Sequence, residues 1–396
     1  MLPQKLQAKL DKRTESNSLR ALTHQSKLID FSSNDYLGFA KSESIFREAS
    51  EILNALGLKT NGATGSRLLS GNHKLYDEAE NLLCGFHKTE AALIFNSGYD
   101  ANVGFFGSVP QRGDVILYDE FIHASIRDGT QQSLAKSYKF KHNDLADLER
   151  LCQVERSRNL KNHEIYIVTE SVFSMDGDNP DLEKLIFLCE KYNAHLIIDE
   201  AHAVGVFGKN GEGLIQQLGL EDKVFARLVT FGKALGCHGA AILGSEQLKK
   251  YLVNFARSLI YTTALAPHAV ATIIAAYREL DQGISPVNGR LSIQKLHQNI
   301  QFFIKKTDFL GLKSRFIAGK STIQSAVIPG NSHVKMLSRK LNEAGFDVKP
   351  ILSPTVPAGQ ERLRFCLHSY NTEQEISTVL KLLAELVNNF PALEKD

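Results

Sequence analysis

The chain has little that would tie it to a membrane, an oxidising compartment or a nucleic acid. Its five cysteines (Cys84, Cys152, Cys189, Cys237 and Cys366) are scattered at spacings that fit no zinc site, and an odd number supports no disulfide framework. Reduced thiols in a cytosol are the expectation. No stretch approaches the roughly 20 apolar residues needed to span a bilayer. The opening residues, Met1 to Leu10, hold no apolar core of signal-peptide length. Forty-six lysines and arginines against 44 acidic residues leave a formal charge of +2, too near neutral for electrostatic nucleic-acid binding. There is no internal repeat and no low-complexity segment. A soluble cytoplasmic protein is expected, and 396 residues with 43% hydrophobic content suffice for a large core and more than one domain.

What is present alternates. Short apolar runs at 91–95, 115–118, 165–169, 196–199, 228–231 and 240–243, with a weaker one at 136–140, read as strands. Helical periodicity fills 98–107, 122–132, 144–155 and 182–192. Strands alternating with helices build βαβ units and a mostly parallel sheet. Ahead of this lie an amphipathic helix at 4–22, a short strand entering a turn at 28–39, a helix at 43–56 ended by Gly57, a glycine-rich segment at 61–73 and a helix at 73–86. After Pro267 the texture changes. A helix runs through about residue 281; a loop at 283–289 and a long helix at 290–309 follow. Strand-like segments at 322–328, 347–352 and 363–367 then alternate with helices at 332–344 and 373–389. The expected division is 1–45 for the N-terminal helix and a lining segment, 46–282 for a large domain, and 283–396 for a small C-terminal domain that packs with the N-terminal segment.

Two apolar runs end on charge. The run at 196–199 ends on Asp199, with His202 three residues on, and the run at 228–231 leads into Lys233. The carboxyl ends of strands are where open parallel sheets bind ligands. Asn96-Ser97-Gly98-Tyr99 takes a strand through small residues into a helix start, whose free N–H groups suit a phosphate. A lysine after a buried strand can form a Schiff base when its environment favours the free amine, and Thr230 stands close enough in sequence to hold a phosphate. Asp199-Glu200-Ala201-His202 also has the wording of a helicase magnesium box. That reading needs an earlier phosphate loop, and the only Gly-Lys-Ser, Gly319-Lys320-Ser321, comes later and has Ser314 where the first glycine belongs. A phosphate turn, a carboxylate, a histidine and a lysine together fit pyridoxal 5′-phosphate, with the carboxylate keeping the pyridine nitrogen protonated.

With these residues in view, the chain resembles the α-oxoamine synthases, pyridoxal-phosphate enzymes of the aspartate aminotransferase-like fold type I. The resemblance covers nearly the whole length. It is carried by Ser33-Asn34-Asp35-Tyr36-Leu37-Gly38, Asn96-Ser97-Gly98-Tyr99, Ile122-His123-Ala124-Ser125, Phe173-Ser174-Met175-Asp176-Gly177, the segment 199–205, the segment 230–236, Tyr261-Thr262-Thr263-Ala264-Leu265 and Arg362-Leu363-Arg364, all in family order. It implies an α/β fold with a large domain, its mostly parallel sheet lying between helices, and a smaller C-terminal α/β domain. It implies Lys233 as the Schiff-base lysine and acid/base, Asp199 on the pyridine nitrogen, and His202, with Ser174 or a neighbour, on the ring's phenolic oxygen. His123 would stack on the ring, Gly98 and Tyr99 would cradle the cofactor, and Thr230 would contact its phosphate. Thr262 and Thr263 would reach the phosphate from a second subunit, which makes a homodimer with shared sites. Arg364 would clamp the amino-acid carboxylate as a bidentate fork, and Asn34 would face the acyl substrate.

Within the family, the compact chain, the wording of 62–72, and Arg20 and Thr355, which fall where one member has substrate contacts, point to the member that joins L-alanine to a pimeloyl thioester, on coenzyme A or a carrier protein, in biotin biosynthesis. Glycine C-acetyltransferase and serine palmitoyltransferase are the alternatives. A non-catalytic subunit is disfavoured because Lys233 is present. Cys237-His238 departs from the Val-Ser usual just past the lysine.

Overall fold

The computed structural model describes residues 2–22, 27–158, 163–282 and 289–389. The loop expected at 283–289 therefore lies, but for Gly289, outside the described residues. Contacts divide the chain into two compact units, one of 35–174 with 179–294, the other of 1–34 with 175–178 and 295–396. The sequence divisions at 45/46 and 282/283 follow texture, whereas these follow contact.

The larger unit is built on seven strands: β1 (Ala91–Phe95), β2 (Val115–Asp119), β3 (Lys136–Phe140), β4 (Ile165–Glu170), β5 (His195–Asp199), β6 (Ala226–Thr230) and β7 (Ala240–Gly244). Their order is β1-β7-β6-β5-β4-β2-β3. The pairs β2–β3, β2–β4, β4–β5 and β5–β6 are parallel, while β7 runs antiparallel to both β1 and β6. Side chains alternate across each strand, and both faces are buried in every strand but the edge strand β3, whose residues are largely exposed. Ile116, Val168, Ile197 and Leu228 enter one core, and Val115, Leu117, Ile167, Leu196 and Ile198 enter a second. A sheet covered on both faces reads as continuous apolar runs, which is why its strands are plain in the sequence.

Helix limits differ from the periodicity in informative places. The helix expected at 122–132 is Ala124–Gln132, because His123 stays extended as its N-cap and accepts from the Ser125 amide. The N-terminal helix expected at 4–22 ends at Glu15, and Asn17 turns the chain with a φ of +50°. A helix at Glu246–Phe255 was not expected at all.

In the smaller unit, β8 (Ile323–Val327), β9 (Lys349–Ile351) and β10 (Arg362–Cys366) form an antiparallel sheet in the order β9-β10-β8. Ile29–Asp30 pairs in parallel with Phe346–Asp347, which ties the N-terminal segment to this unit. Helices Asn331–Glu343 and Glu373–Asn389 also belong to it, each burying an apolar stripe.

Candidate active site

In the larger unit the parallel strands β4, β5 and β6 bring their carboxyl ends side by side. Glu170 closes β4 and is register partner of Asp199, which closes β5 and is partner of Leu228 on β6. Asp199 is 6% exposed and held from two directions. Its Oδ1 accepts from the Ala201 amide at 2.9 Å, and its Oδ2 from Asn102 Nδ2 at 3.0 Å. The same Asn102 nitrogen donates to Ser125 Oγ at 3.0 Å, and that hydroxyl meets His123 Nδ1 at 2.7 Å. The His123 amide donates to Glu170 Oε1 at 2.6 Å. Asp199, Asn102, Ser125, His123 and Glu170 thus form one polar chain around the strand ends.

Burial pushes the Glu170 carboxyl up to about 8, with the neighbouring Asp199 charge adding to the effect. Desolvation holds the His123 imidazole below its ordinary value, against the charge of Asp199, which raises it. Glu170 and Asn102 were not singled out by sequence reasoning. Glu170 carries the signal that marked Asp199, an apolar strand ending on an acid. Asn102 carries none, since a lone asparagine inside the short helix Gly98–Phe106 looks incidental.

Past β5 the chain makes one helical turn, in which the Ala203 and Val204 amides donate to the Glu200 carbonyl. That turn sets His202, 4% exposed, with Nε2 at 2.7 Å from Lys233 Nζ. Lys233 itself lies in the tight connection of the antiparallel pair β6–β7. The Cys237 amide donates to the Phe231 carbonyl, and the Gly236 amide to that of Lys233. The antiparallel pairing puts a hairpin where the sequence shows only a loop after a strand.

Ser97 caps the Gly98–Phe106 helix by accepting from the Asp100 amide, leaving the first-turn amides of Gly98 and Tyr99. A Cβ added at Gly98 would stand 3.8 Å from Thr230 Oγ1, so Gly98 keeps a small-atom space beside that hydroxyl. Tyr99 is 49% exposed and donates to Asp128 Oδ2 at 2.5 Å. Asn96 Nδ2 donates to Thr262 Oγ1 at 3.1 Å and to the Thr263 carbonyl at 2.7 Å, so both threonines flank the 96–99 turn of their own chain. Ser174 is buried four residues beyond Glu170. Cys237 is a neutral thiol, since burial pushes it up to about 12; its Sγ donates to the Leu235 carbonyl at 3.0 Å.

The expected substrate residues lie in the smaller unit and fall into two pairs. Arg364 Nη2 donates to Asn34 Oδ1 at 3.1 Å, and Arg20 Nη2 to Thr355 Oγ1 at 3.4 Å. Arg364 is 8% exposed, whereas Arg20 and Thr355 are open to solvent.

The larger unit's residues fit pyridoxal phosphate on their own geometry. The first-turn amides of Gly98 and Tyr99 beside a hydroxyl suit the phosphate, a hydrogen-bonded buried carboxylate suits a pyridinium N–H, and a half-buried lysine on an imidazole suits the imine carbon.

Residues 26–383 match the family described as aminotransferase class I and II, and the chain belongs to that family, within its α-oxoamine synthase branch. It is similar to the 8-amino-7-oxononanoate synthase of Emericella nidulans, 41% identical over 372 residues, which span 91% of this chain and 89% of that one. Its likeness to the enzyme of the same name from Lysinibacillus sphaericus is 37% over 384 residues, 97% of this chain and 95% of that one. Among solved structures, a serine palmitoyltransferase from S. paucimobilis with a bound PLP–myriocin aldimine matches with a TM-score of 0.86 at 26% identity, covering 98% and 97% of the two chains. The 8-amino-7-oxononanoate synthase of Francisella tularensis matches with a TM-score of 0.75 at 29% identity, covering 92% and 99%. The chain is a pyridoxal-phosphate-dependent transferase of fold type I. No helix among the described residues is long and apolar enough to cross a membrane.

Proposed function

We propose that this enzyme condenses L-alanine with a pimeloyl thioester to give 8-amino-7-oxononanoate, releasing carbon dioxide and the free thiol carrier, as a step of biotin biosynthesis. The observation that carries the choice of substrates is 41% identity over 91% of the chain to a protein of that name. Likeness in shape is shared with serine palmitoyltransferase and does not separate the branch's members.

When bound, pyridoxal phosphate supplies an electron sink for the electron pair left at the amino acid's α-carbon. The protein's own groups do the rest. Gly98, Tyr99 and Thr230 hold the phosphate at the helix start. Asp199, fixed by Asn102 and the Ala201 amide, keeps a proton on the pyridine nitrogen. His123 supplies an aromatic face and is pinned by Ser125 and Glu170. Lys233 Nζ takes the α-proton of alanine and later returns one, with His202 Nε2 as its hydrogen-bond partner. His202 and Ser174 hold the phenolic oxygen. Arg364, steadied by Asn34, offers a planar fork to the alanine carboxylate. Arg20 with Thr355 provides a cation and a hydroxyl for the distal carboxylate of the acyl chain. The α-carbon bonds to the thioester carbonyl carbon, the thiolate leaves, and the alanine carboxylate departs as carbon dioxide. Two chains assemble as a homodimer in which Thr262 and Thr263 serve the partner's phosphate.

A turnover panel tests the reading. L-alanine with pimeloyl-CoA should outpace glycine with acetyl-CoA and serine with palmitoyl-CoA. Faster turnover of either other pair would reassign the enzyme within its branch.

A further inference from the structure

Tyr36 lies in the turn 33–38, where the sequence shows a Ser/Asn/Asp/Gly-rich lining loop and nothing gives this side chain a job. The turn is closed by the Gly38 amide donating to the Asp35 carbonyl at 3.0 Å, with Gly38 at a φ of +76°. Asp35 Oδ1 also accepts from the Ala40 amide at 3.2 Å. The fixed turn drives Tyr36 wholly into the larger unit, at 0% exposed. Its hydroxyl meets His202 Nδ1 at 2.7 Å, and the other nitrogen of that ring meets Lys233 Nζ at 2.7 Å. A tyrosine hydroxyl, a histidine and a lysine amine therefore stand in line, the first two buried.

We propose that Tyr36 is a positioning residue that holds the His202 ring with Nε2 toward Lys233 and leaves that nitrogen able to present either a proton or a lone pair. A neutral imidazole has one donor and one acceptor, so whatever satisfies Nδ1 decides what Nε2 can do. A backbone carbonyl or carboxylate on Nδ1 would fix a proton there. A phenolic hydroxyl both donates and accepts, so it satisfies Nδ1 in either tautomer without the ring turning. Lys233 presents different needs to the same nitrogen as an ammonium and as a free amine, and the proposed chemistry asks it to be each in turn. Burial makes the partner necessary, because an unpaired ring nitrogen away from water is costly enough to drive the ring to another orientation. The inference rests on the cofactor assignment and on Lys233 as proton carrier, and is independent of which amino acid and acyl chain are used.

The experiment uses the full chain with Tyr36→Phe, which keeps the ring's packing and removes one oxygen. In cofactor-free protein, ring-nitrogen NMR should show the His202 Nδ1 signal displaced and a second ring state populated in the variant. Titration with pyridoxal phosphate should show a dissociation constant raised about tenfold, the effect of one lost buried hydrogen bond. On a His202→Asn background the same substitution should change it by less than about twofold, because a residue acting through another has nothing left to act on. Unchanged His202 nitrogen signals, or a full tenfold effect on the His202→Asn background, would overturn the proposal. If Tyr36→Phe does not fold, the wild-type protein decides: a His202 Nδ1 signal typical of a nitrogen without a hydrogen bond overturns it, and a bonded one supports it. None of these readouts uses substrate, so a failed turnover panel leaves them interpretable.

Discussion

Asp199 is a carboxylate shaped by its neighbours before any ligand arrives. The Asn102 amide and the Ala201 N–H fix both its oxygens, so its negative charge is aimed rather than merely present. Asp199→Asn keeps the shape and removes the charge; kcat should fall about a hundredfold or more, checked by steady-state kinetics with cofactor saturating. Glu170 behaves in the opposite way. In the cofactor-free protein its folded-state pKa of about 8 lies above its ordinary 4.5. The folded chain keeps a proton that the unfolded chain releases, so stability present below about pH 4.5 is lost progressively as pH rises toward about 8. Glu170→Gln, neutral and of the same size, should flatten that part of the pH dependence and melt higher than wild type near pH 8. Thermal melts of both cofactor-free proteins across the window check this, and an unaltered slope would show that Glu170 ionises there without penalty. Asp199 was legible as an acid at a strand end, and Glu170 carries the same signal without having been singled out. The raised pKa of Glu170 was not legible, because it depends on burial and on Asp199 being its register neighbour on the adjacent strand.

At the scale of elements, the hairpin after β6 is tightly constrained. Gly236 has a φ of +62°, and a Cβ there would collide with the backbone nitrogen of Ala40. Gly236→Ala should cost about 2–4 kcal/mol, from left-handed backbone strain and overpacking together, seen as a lower denaturant midpoint with an unchanged slope. The start of the Gly98–Phe106 helix makes a separate demand. Thr230→Val keeps the volume and removes the hydroxyl beside Gly98; the dissociation constant of pyridoxal phosphate should rise about tenfold with little change in melting temperature of the cofactor-free protein. The strands were legible because apolar runs buried on both faces need no phase to be recognised. Their direction was not. The same run of alanine and leucine serves as a parallel or an antiparallel strand, and only the shortness of the 231–239 connection hinted that β7 turns back on β6. The helix at 124 starts late for a local reason, since His123 spends its side chain on the cap.

At the scale of the whole molecule, the order of motifs along the chain is the strongest signal, and it alone points to the family. Assembly was legible only through the resemblance, which implies the shared-site homodimer; by composition alone Thr262 and Thr263 look like ordinary loop residues. The proposed homodimer should sediment at twice the 44.0 kDa chain mass. Shared sites make a sharper prediction. Lys233→Ala chains and chains carrying Thr262→Ala with Thr263→Ala should each be nearly inactive alone, yet mixed dimers should regain activity, because one of their two sites draws Lys233 and both threonines from intact copies. No recovery in verified mixed dimers would mean that each chain serves its own phosphate.

The central claim is that Lys233, set on His202 at the end of the β6 hairpin, holds the cofactor. Borohydride reduction of the purified, cofactor-loaded protein, followed by proteolysis and mass spectrometry, tests it directly. A pyridoxyl-phosphate adduct is predicted on the peptide containing Lys233 and on no other lysine, with the visible absorbance band lost in Lys233→Ala. An adduct on a different lysine, or a retained band in that variant, would contradict it.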